Sequence, residues 1–311
     1  MHVWNGIDRY PENAPPACAT IGNFDGVHRG HQRILDRVRA RAAREQLPAV
    51  LVTFDPHPLA IVAPERRPAL VHTRRQKLEA LESCGLDGVL ILSFDAGLAR
   101  QSAQEFVDGL LATRLTLRAL AVGEDFRFGR DRAGDARLLR EAGAARGFDV
   151  ELVPAVEIDG RKVSSSAIRS AVASGDVELA ARMLGRPFAV EGVVVRGDGR
   201  GRRLRYPTAN LALASELRPA SGVYVTETVR GTTRHASVTN VGVRPTFGGR
   251  SPEIETHLLE FDGDLYGEAV DVRFLARIRE ERRFPGPSEL ADQIARDLAT
   301  AEAFFQNARS G

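Results

Sequence analysis

Five short apolar runs in the first half of the chain alternate with longer stretches in which apolar residues recur at helical spacing. The runs are rich in Val, Ile and Leu, as expected of strands buried on both faces of a sheet. They read ACATIGNF, AVLVTF, GVLILSF, LRALAVG and FDVELVPAV. Because strands that are separated by helices pair in parallel, this alternation predicts a doubly wound α/β sheet.

The pattern changes near Arg186, after two short helical stretches. From Phe188 onward, β-branched or alternating runs are divided by Gly, Asp and Pro, which is typical of antiparallel strands, and an amphipathic helix closes the chain. The length of 311 residues also exceeds the roughly 100–200 residues of a typical domain. We therefore expect an α/β domain at residues 1–186, and a small antiparallel β-barrel with a C-terminal helix at residues 187–311.

Composition argues against several classes of protein. No apolar run approaches the ~20 residues that span a bilayer, and the N-terminal residues lack the features of a secretory signal, so we expect a cytoplasmic location. A net charge of +2 offers no broad attraction to nucleic acid or to a membrane surface. The two cysteines provide no disulfide framework or zinc spacing. We expect small-molecule substrates, and the oligomeric state is left open.

The run GNFDGVHRGH, from Gly22 to His31, joins the first predicted strand to the first helix. It lies at the carboxyl edge of the sheet, where α/β folds bind ligands. Gly22, Gly26 and Gly30 allow backbone to approach a ligand closely, and the helix N-terminus favours phosphate. His28 and His31 can direct imidazole N–H groups at the same phosphate oxygens. The run predicts a phosphate site.

Two other interpretations of the paired histidines remain open at this point. His28 and His31 could bind a metal, although a metal site normally requires a third protein ligand. Alternatively, the run could be a glycine turn with surface histidines, which explains the glycines but not the pair of imidazoles.

The form G-x-F-D-G-x-H-x-G-H resembles the H-x-G-H signature of the adenylyl- and cytidylyltransferase superfamily, and the FMN adenylyltransferase branch in particular. The resemblance implies a Rossmann-like nucleotidyltransferase domain in which His28 and His31 are catalytic, stabilising charge as the α-phosphate of ATP is attacked. It also implies a set of ATP-binding residues, namely Gly22, Asn23, Phe24, Gly26, His28 and His31.

Two further motifs follow other predicted strands. TFDPHP contains two prolines that predict a stiff, extended loop, and it is similar to a loop of the flavin pocket in this family, which implies that Phe54, Pro56 and Pro58 contact flavin. GEDFRFG resembles the family's D-F-x-F-G segment, which implies that Asp125 and Phe128 lie near the flavin or the nucleotide.

The serine-rich run VSSSAIRSAV would by itself indicate only an ordinary helix start. Its resemblance to the S-S-[ST]-x-I-R motif of nucleotidyltransferases implies more. Ser164, Ser165 and Arg169 are then expected to bind the ATP phosphates, with Arg169 balancing charge on the departing pyrophosphate.

In the second domain, VVVRGDGRGRRLRYPTANLAL combines a Gly- and Arg-rich loop with Pro-Thr-Ala-Asn. Its composition is compatible with an anion-binding nest or with a plain hairpin. YPTANL resembles the P-T-A-N motif of riboflavin kinases, in which Thr208 and Asn210 would hold Mg²⁺ and ATP. The ATP-binding residues that the resemblance implies are Gly199, Gly201, Arg202, Thr208 and Asn210.

ETHLLEF resembles the E-[ST]-H-[LIV] segment of riboflavin kinases, which implies that Glu255 is the catalytic base. Without the resemblance, Glu255 would be interpreted as an exposed strand residue. Arg205 departs from the family pattern because glycine is more usual at its position, and arginine does not readily adopt a positive φ.

Together these motifs cover nearly the entire chain and indicate a member of the bacterial bifunctional riboflavin kinase/FMN adenylyltransferase, or FAD synthetase, family. Membership implies a transferase that uses ATP and Mg²⁺, with riboflavin, FMN and FAD as substrates and products. One alternative is a single-activity adenylyltransferase whose barrel is a flavin-binding or assembly module. Another is a flavin sensor or nucleic-acid-binding protein without turnover, which the 6% aromatic content disfavours.

Overall fold

The computed structural model of the protein describes residues 1–196, 206–246 and 249–310, and of residues 243–246, 249–253, 287, 309 and 310 it describes the backbone alone. The chain divides into two compact units. The first contains Met1–Pro68 and Arg74–Ser164, and the second contains Ala69–Thr73 and the chain from Ser165 onward. Within the described residues, no helix is long and apolar enough to cross a membrane.

The first unit is built on a parallel sheet with the strand order β1-β4-β3-β2-β5-β6. Its strands are β1 His2–Asn5, β2 Ala17–Ile21, β3 Ala49–Asp55, β4 Gly88–Ser93, β5 Leu117–Gly123 and β6 Asp149–Val153. Alternate residues of β2 enter two different cores, since Ala17, Ala19 and Ile21 pack on one side of the sheet and Cys18 on the other. The sheet is therefore covered on both faces, which confirms the predicted α/β class.

Helices cover both faces of this sheet. They are α1 Arg29–Glu45, α2 Leu59–Val62, α3 Arg74–Glu82, α4 Ala96–Arg100, α5 Ala103–Phe106 with a π-helical extension Val107–Arg114, and α6 Ala136–Arg146. A small hairpin, β7 Glu157–Ile158 with β8 Arg161–Lys162, follows β6.

The strand order creates a switch point beside β2. Along the chain, the strands after β2 are added on one side, as β3 and then β4, whereas β5 and β6 lie on the other side. The loops that leave β2 and β5 therefore turn in opposite directions and leave a crevice at the carboxyl edge. Gly22–His28 follows β2 and Glu124–Asp135 follows β5, so the fold brings two of the predicted motifs to this crevice.

The second unit contains a closed antiparallel barrel with the strand order β10-β13-β12-β11-β14-β9. Its strands are β9 Phe188–Val195, β10 Ala209–Leu213, β11 Gly222–Arg230, β12 Thr233–Thr246, β13 Gly249–Leu258 and β14 Ala269–Glu280. The final helix, α9 Pro287–Ser310, packs on β11 and β12. The predicted barrel with a C-terminal helix is confirmed.

Helices α7 Ser165–Ser174 and α8 Val177–Leu184 pack with the barrel unit, although the sequence analysis assigned them to the first domain. The apolar face of α8 packs on β14 and β9 of the barrel. Burial of that face therefore joins the two helices to the second unit. The functional boundary after residue 186 stays a prediction, whereas the packing boundary lies after Ser164.

Candidate active sites

The turn after β2 has a backbone that few residue types adopt. Gly26 has φ 88°, and the two apolar residues Phe24 and Val27 also have positive φ values of 48° and 40°. Both apolar side chains are buried, so packing in the core holds a conformation that is otherwise unfavourable for them. The turn therefore has a fixed shape and delivers the chain to the start of α1.

His28 and His31 form a stacked pair at the N-terminus of α1. His28 caps the helix, and its Nδ1 accepts a hydrogen bond from the His31 backbone N–H at 3.3 Å. The two ring centroids lie 3.6 Å apart, and Phe24 stacks on the other face of His31 at 4.5 Å. Because Nδ1 of His28 is an acceptor, its neutral ring carries the proton on Nε2 and can donate from there.

Gly30 makes room for this stack. A Cβ at Gly30 would lie 3.2 Å from the His28 ring, closer than ordinary van der Waals contact allows. The absence of a side chain at Gly30 therefore allows the His28 ring to take its position, in addition to allowing a ligand to approach the backbone. Phe24, which the resemblance places among the ATP-binding residues, is 2% exposed beneath His31, where its ring supports the imidazole.

The TFDPHP loop differs from its expected shape. Pro58 has helical backbone angles and immediately precedes α2, so the predicted extended loop is wrong at this residue and the chain turns directly into a helix. Phe54 is half-buried and packs edge-to-face on Phe94 at 5.5 Å, and Pro56 is exposed. His57, which the sequence analysis did not single out, lies with Nε2 3.2 Å from Asn23 Nδ2.

The loop after β5 separates its two predicted flavin residues. Asp125 is exposed and pairs with Lys162 of β8, and this hydrogen bond holds the pKa of the Asp125 carboxyl below its usual range. Phe128 is buried in the core beside Phe106. Phe126 stacks on Phe128 at 5.6 Å and is the more accessible of the two rings.

The serine-rich run is divided between the two units. Ser164 ends the first unit, and the carbonyl oxygen of its neighbour Val163 lies 3.8 Å from the position of a Cβ on Gly30, so this part of the run lies beside the start of α1. Ser165 and Arg169 belong to α7 in the second unit, where the Arg169 guanidinium lies 3.4 Å from Ser166 Oγ. Their role with phosphate stays a prediction.

Sequence reasoning also missed Lys77, on α3. Its Nζ donates to the Asn23 carbonyl oxygen at 2.7 Å and to the Thr53 hydroxyl at 2.8 Å, directly behind the turn that carries the histidines. A signal was present, since the chain has only two lysines, Lys77 and Lys162.

The candidate site of the barrel is built on a row of residues across neighbouring strands. Asn210 of β10 pairs with Glu255 of β13, which in turn pairs with Asn240 of β12. Directly paired residues share one face of a sheet, so these side chains are neighbours. Glu255 is half-buried and Asn210 is buried, unlike the exposed strand residue that pattern alone would suggest for Glu255.

A cavity of about 270 Å³ opens beside Thr208. Its lining includes Pro207, Thr208 and Thr256, together with residues 261–266 of the loop before β14. The carbonyl oxygen of Pro207 accepts a hydrogen bond from His257 Nδ1 at 2.7 Å, which fixes the entry to β10. Four residues that the sequence analysis singled out in the preceding loop lie outside the described residues, namely Gly199, Gly201, Arg202 and Arg205.

The donor atoms of the barrel site suit Mg²⁺ better than a softer metal. Thr208, Asn210 and Glu255 provide hydroxyl, amide and carboxylate oxygens, the ligand types that Mg²⁺ takes together with phosphate and water. Among the residues that the structure describes, no group of three or more His, Cys, Asp or Glu could hold a metal ion. The metal interpretation of His28 and His31 therefore gains no third ligand of these types there.

Comparison with known proteins finds two families along the chain. Residues 10–167 match the FAD synthetase family, and residues 184–305 match the riboflavin kinase family. The bifunctional riboflavin kinase/FMN adenylyltransferase of Escherichia coli (strain K12) is 41% identical over 98% of both chains, and that of Pseudomonas fluorescens is 45% identical over 97% of both. A crystal structure described as a macrolide-efflux protein from Streptococcus pneumoniae has a TM-score of 0.88 and 29% identity, covering 97% of this chain and 99% of that one.

These similarities define the class of the protein as a transferase with two nucleotide-dependent modules. The chain belongs to the family of bifunctional riboflavin kinases/FMN adenylyltransferases. Its activities are riboflavin kinase and FMN adenylyltransferase, with riboflavin, FMN, FAD and ATP as substrates and products. The function predicted from the sequence is confirmed.

Proposed function

We propose that residues 1–186 adenylylate FMN and that residues 187–311 phosphorylate riboflavin. The two family matches, at residues 10–167 and 184–305, support this division of the activities. FMN formed by the kinase is then the substrate of the adenylyltransferase. We expect both reactions in the cytoplasm, and the net charge of +2 supports small-molecule substrates without a nucleic-acid ligand.

In the adenylyltransferase, a phosphate oxygen of FMN attacks the α-phosphorus of ATP, and the bond from that phosphorus to the α,β-bridging oxygen breaks to release pyrophosphate. The observation that supports this site is the stacked histidine pair at the N-terminus of α1. His28 Nε2 and the His31 ring donate hydrogen bonds to the phosphate oxygens, where negative charge accumulates in the transition state. Gly22, Asn23 and Gly26 supply the backbone beside the phosphates.

Ser164, Ser165 and Arg169 complete phosphate binding in this proposal. A guanidinium group is well suited to the departing pyrophosphate because its planar fork donates two parallel hydrogen bonds to phosphate oxygens. The approach of Val163 to Gly30 supports a role for Ser164 beside the histidines.

The flavin would lie between the loops that follow β3 and β5. Phe54, Pro56 and Pro58 provide the first loop, and Asp125 marks the second. Of the two rings in the second loop, the more accessible Phe126 is the better stacking surface, and the buried Phe128 supports it from behind.

In the kinase, Glu255 takes the proton from the primary hydroxyl of the ribityl chain as that oxygen attacks the γ-phosphorus, and ADP leaves. The pairing of Glu255 with Asn210 supports this assignment, because it sets the carboxylate beside the predicted ATP-binding residues. Thr208 and Asn210 would hold Mg²⁺, which neutralises charge on the triphosphate when bound. Gly199, Gly201 and Arg202 are the proposed phosphate contacts of the loop.

A product assay tests this proposal. The protein is incubated with riboflavin, ATP and Mg²⁺, and the flavins are separated at intervals. We expect FMN to appear before FAD, and omission of Mg²⁺ to suppress both products. Formation of FAD only when FMN is supplied would instead support an adenylyltransferase whose barrel binds flavin without phosphorylating it.

A further inference from the structure

Lysine is almost absent from this protein. Of 43 basic residues, only Lys77 and Lys162 are lysines, and the other 41 are arginines. A chain that uses arginine nearly everywhere retains lysine where a compact ammonium group is needed, since a guanidinium is wider, planar and always charged. Lys162 is about half exposed in its pair with Asp125, whereas Lys77 is enclosed behind the His28 turn.

The Lys77 ammonium occupies a small polar niche. Its Nζ lies 2.7 Å from the Asn23 carbonyl oxygen and 2.8 Å from Thr53 Oγ1, and Thr53 Oγ1 itself donates to the Asn23 carbonyl oxygen at 3.1 Å. The three atoms form a triangle in which one cation satisfies two adjacent acceptors.

Charged groups face Lys77 from each neighbouring element. Asp25 lies in the turn after β2 and is only 6% exposed, and Asp55 lies at the end of β3. Arg74 lies on the same helix as Lys77 and pairs with Asp55 at 3.5 Å. Burial lowers the pKa of Lys77 to about 8, Asp25 and Asp55 oppose that shift, and Arg74 adds to it.

We propose that Lys77 is a positioning residue of the adenylyltransferase site, whose ammonium group holds the Gly22–His28 turn and offsets the buried Asp25 carboxylate so that the turn accepts the triphosphate. The inference rests on the proposal that this turn binds ATP. It explains how a phosphate-binding turn can carry a buried aspartate, since an uncompensated carboxylate there would repel the substrate.

Structural support alone does not account for Lys77. Without its side chain, the Thr53 hydroxyl still donates to the Asn23 carbonyl oxygen, so both groups keep a partner. A pKa of about 8 in the folded protein lies below the ~10.4 of an exposed lysine. Between these two pH values the unfolded chain binds more protons than the folded chain, so the contribution of Lys77 to stability rises with pH. Its contribution to ATP binding falls over the same interval.

The test uses Lys77→Met and Lys77→Arg, with Arg75→Met as a matched control on the exposed face of the same helix. For each protein, kcat/KM for ATP in FAD formation is measured between pH 6.5 and 9.5. Riboflavin phosphorylation by the same molecules reports on the second unit. His31→Ala is included to test the site assignment separately.

We expect kcat/KM of the unaltered protein and of Arg75→Met to decline above an apparent pKa of about 8. Lys77→Met lowers kcat/KM at pH 7 by roughly 10- to 100-fold, since a hydrogen-bonded cation is lost from the site, and its profile lacks the decline. Lys77→Arg lacks the decline as well, because arginine stays protonated throughout. The pH profile of riboflavin phosphorylation is the same in all three variants as in the unaltered protein. The thermal midpoint of Lys77→Met at pH 7 is no lower than that of the unaltered protein.

Three results would overturn the inference: FAD formation by Lys77→Met equal to that of Arg75→Met, persistence of the decline near pH 8 in either Lys77 variant, or a lowered thermal midpoint in Lys77→Met. If His31→Ala leaves FAD formation intact, the site assignment fails, and the inference fails with it. If His31→Ala abolishes FAD formation and Lys77→Met does not, only the role of Lys77 is wrong.

Discussion

The two candidate sites are positioned by different physical means. In the first unit, the groups lie on loops at the edge of a parallel sheet, and packing of Phe24 and Val27 holds the turn that carries the histidines. In the barrel, Asn210 and Glu255 lie within neighbouring strands, and hydrogen-bond register holds them opposite each other. A loop site therefore depends on side-chain packing and glycine, whereas a strand site depends on register.

The interiors of the two units also differ in polarity. The cores on the two faces of the parallel sheet are apolar, and polar groups gather at its edge. The barrel instead encloses hydroxyl groups that bond to one another across strands, namely those of Thr226, Thr228, Ser237, Thr239 and Thr256. Because a buried hydroxyl needs a partner, this cluster specifies which strands pair and in which register.

The largest expected effect follows from a change in the barrel site, and it tests whether the two activities use separate sites. Glu255→Ala removes the proposed base, so phosphorylation of riboflavin falls by roughly 10²- to 10⁴-fold. FAD formation from supplied FMN continues at its normal rate. Measuring both reactions on one preparation tests the separation, and a parallel loss of both activities in a folded protein would contradict it.

His31→Ala tests the same separation by a change in the candidate site of the first unit. The loss of a donor to the phosphates lowers FAD formation by roughly 10²- to 10³-fold, and FMN accumulates from riboflavin. The readout is the ratio of FMN to FAD over time. An unchanged ratio would show that the turn after β2 is not the nucleotide site.

Gly30→Ala sharpens the claim that packing controls the loop site. The new Cβ crowds the His28 ring at 3.2 Å, so we expect FAD formation to fall by about tenfold, the effect of one displaced hydrogen-bond donor. The higher helix propensity of alanine, up to about 1 kcal/mol over glycine, opposes the cost of this crowding, so we expect no large change in stability.

Gly109→Ala is the matched control for Gly30→Ala, because a Cβ there meets no atom within 4 Å. It should leave FAD formation unchanged. Equal rates in the two variants would refute the crowding argument, and thermal unfolding of both would exclude a loss of fold.

The smallest effect concerns the barrel interior. Thr239→Val removes hydroxyl contacts at 2.7 Å with Thr226 and 2.9 Å with Thr256, and destabilises the second unit by about 1–3 kcal/mol because buried partners are left unsatisfied. Kinase activity changes little at low temperature. Thr300→Val on the exposed side of α9 is the control, and chemical denaturation of both variants measures the difference.

Most of the parallel sheet could be predicted because β2 to β5 are buried on both faces and read as continuous apolar runs. The exception is β1, whose residues HVWN are mostly exposed at the sheet edge and give no apolar run. It is held by pairing with β4, where Gly88 leaves room for the Trp4 ring. Helices α7 and α8 were identified, but their association with the barrel depends on long-range packing that local patterns do not encode.

The site was predictable where residue types form compact motifs, and unpredictable where single residues act from other elements. His28 and His31 stand together in a short run and could be found directly. Lys77 and His57 reach the same turn from α3 and from the loop after β3, so only their positions in space connect them to Asn23.

The sequence by itself determined the alternation of strands and helices, the change to antiparallel strands, and the motifs that indicate both activities. Periodicity and short motifs are local properties of the chain, so they can be identified without the fold. The tertiary structure decided which strands are neighbours, which face of the barrel Glu255 shares with Asn210, and how a lysine on α3 comes to donate to the Asn23 carbonyl oxygen. These depend on contacts between residues far apart in sequence, which form only when the complete core packs.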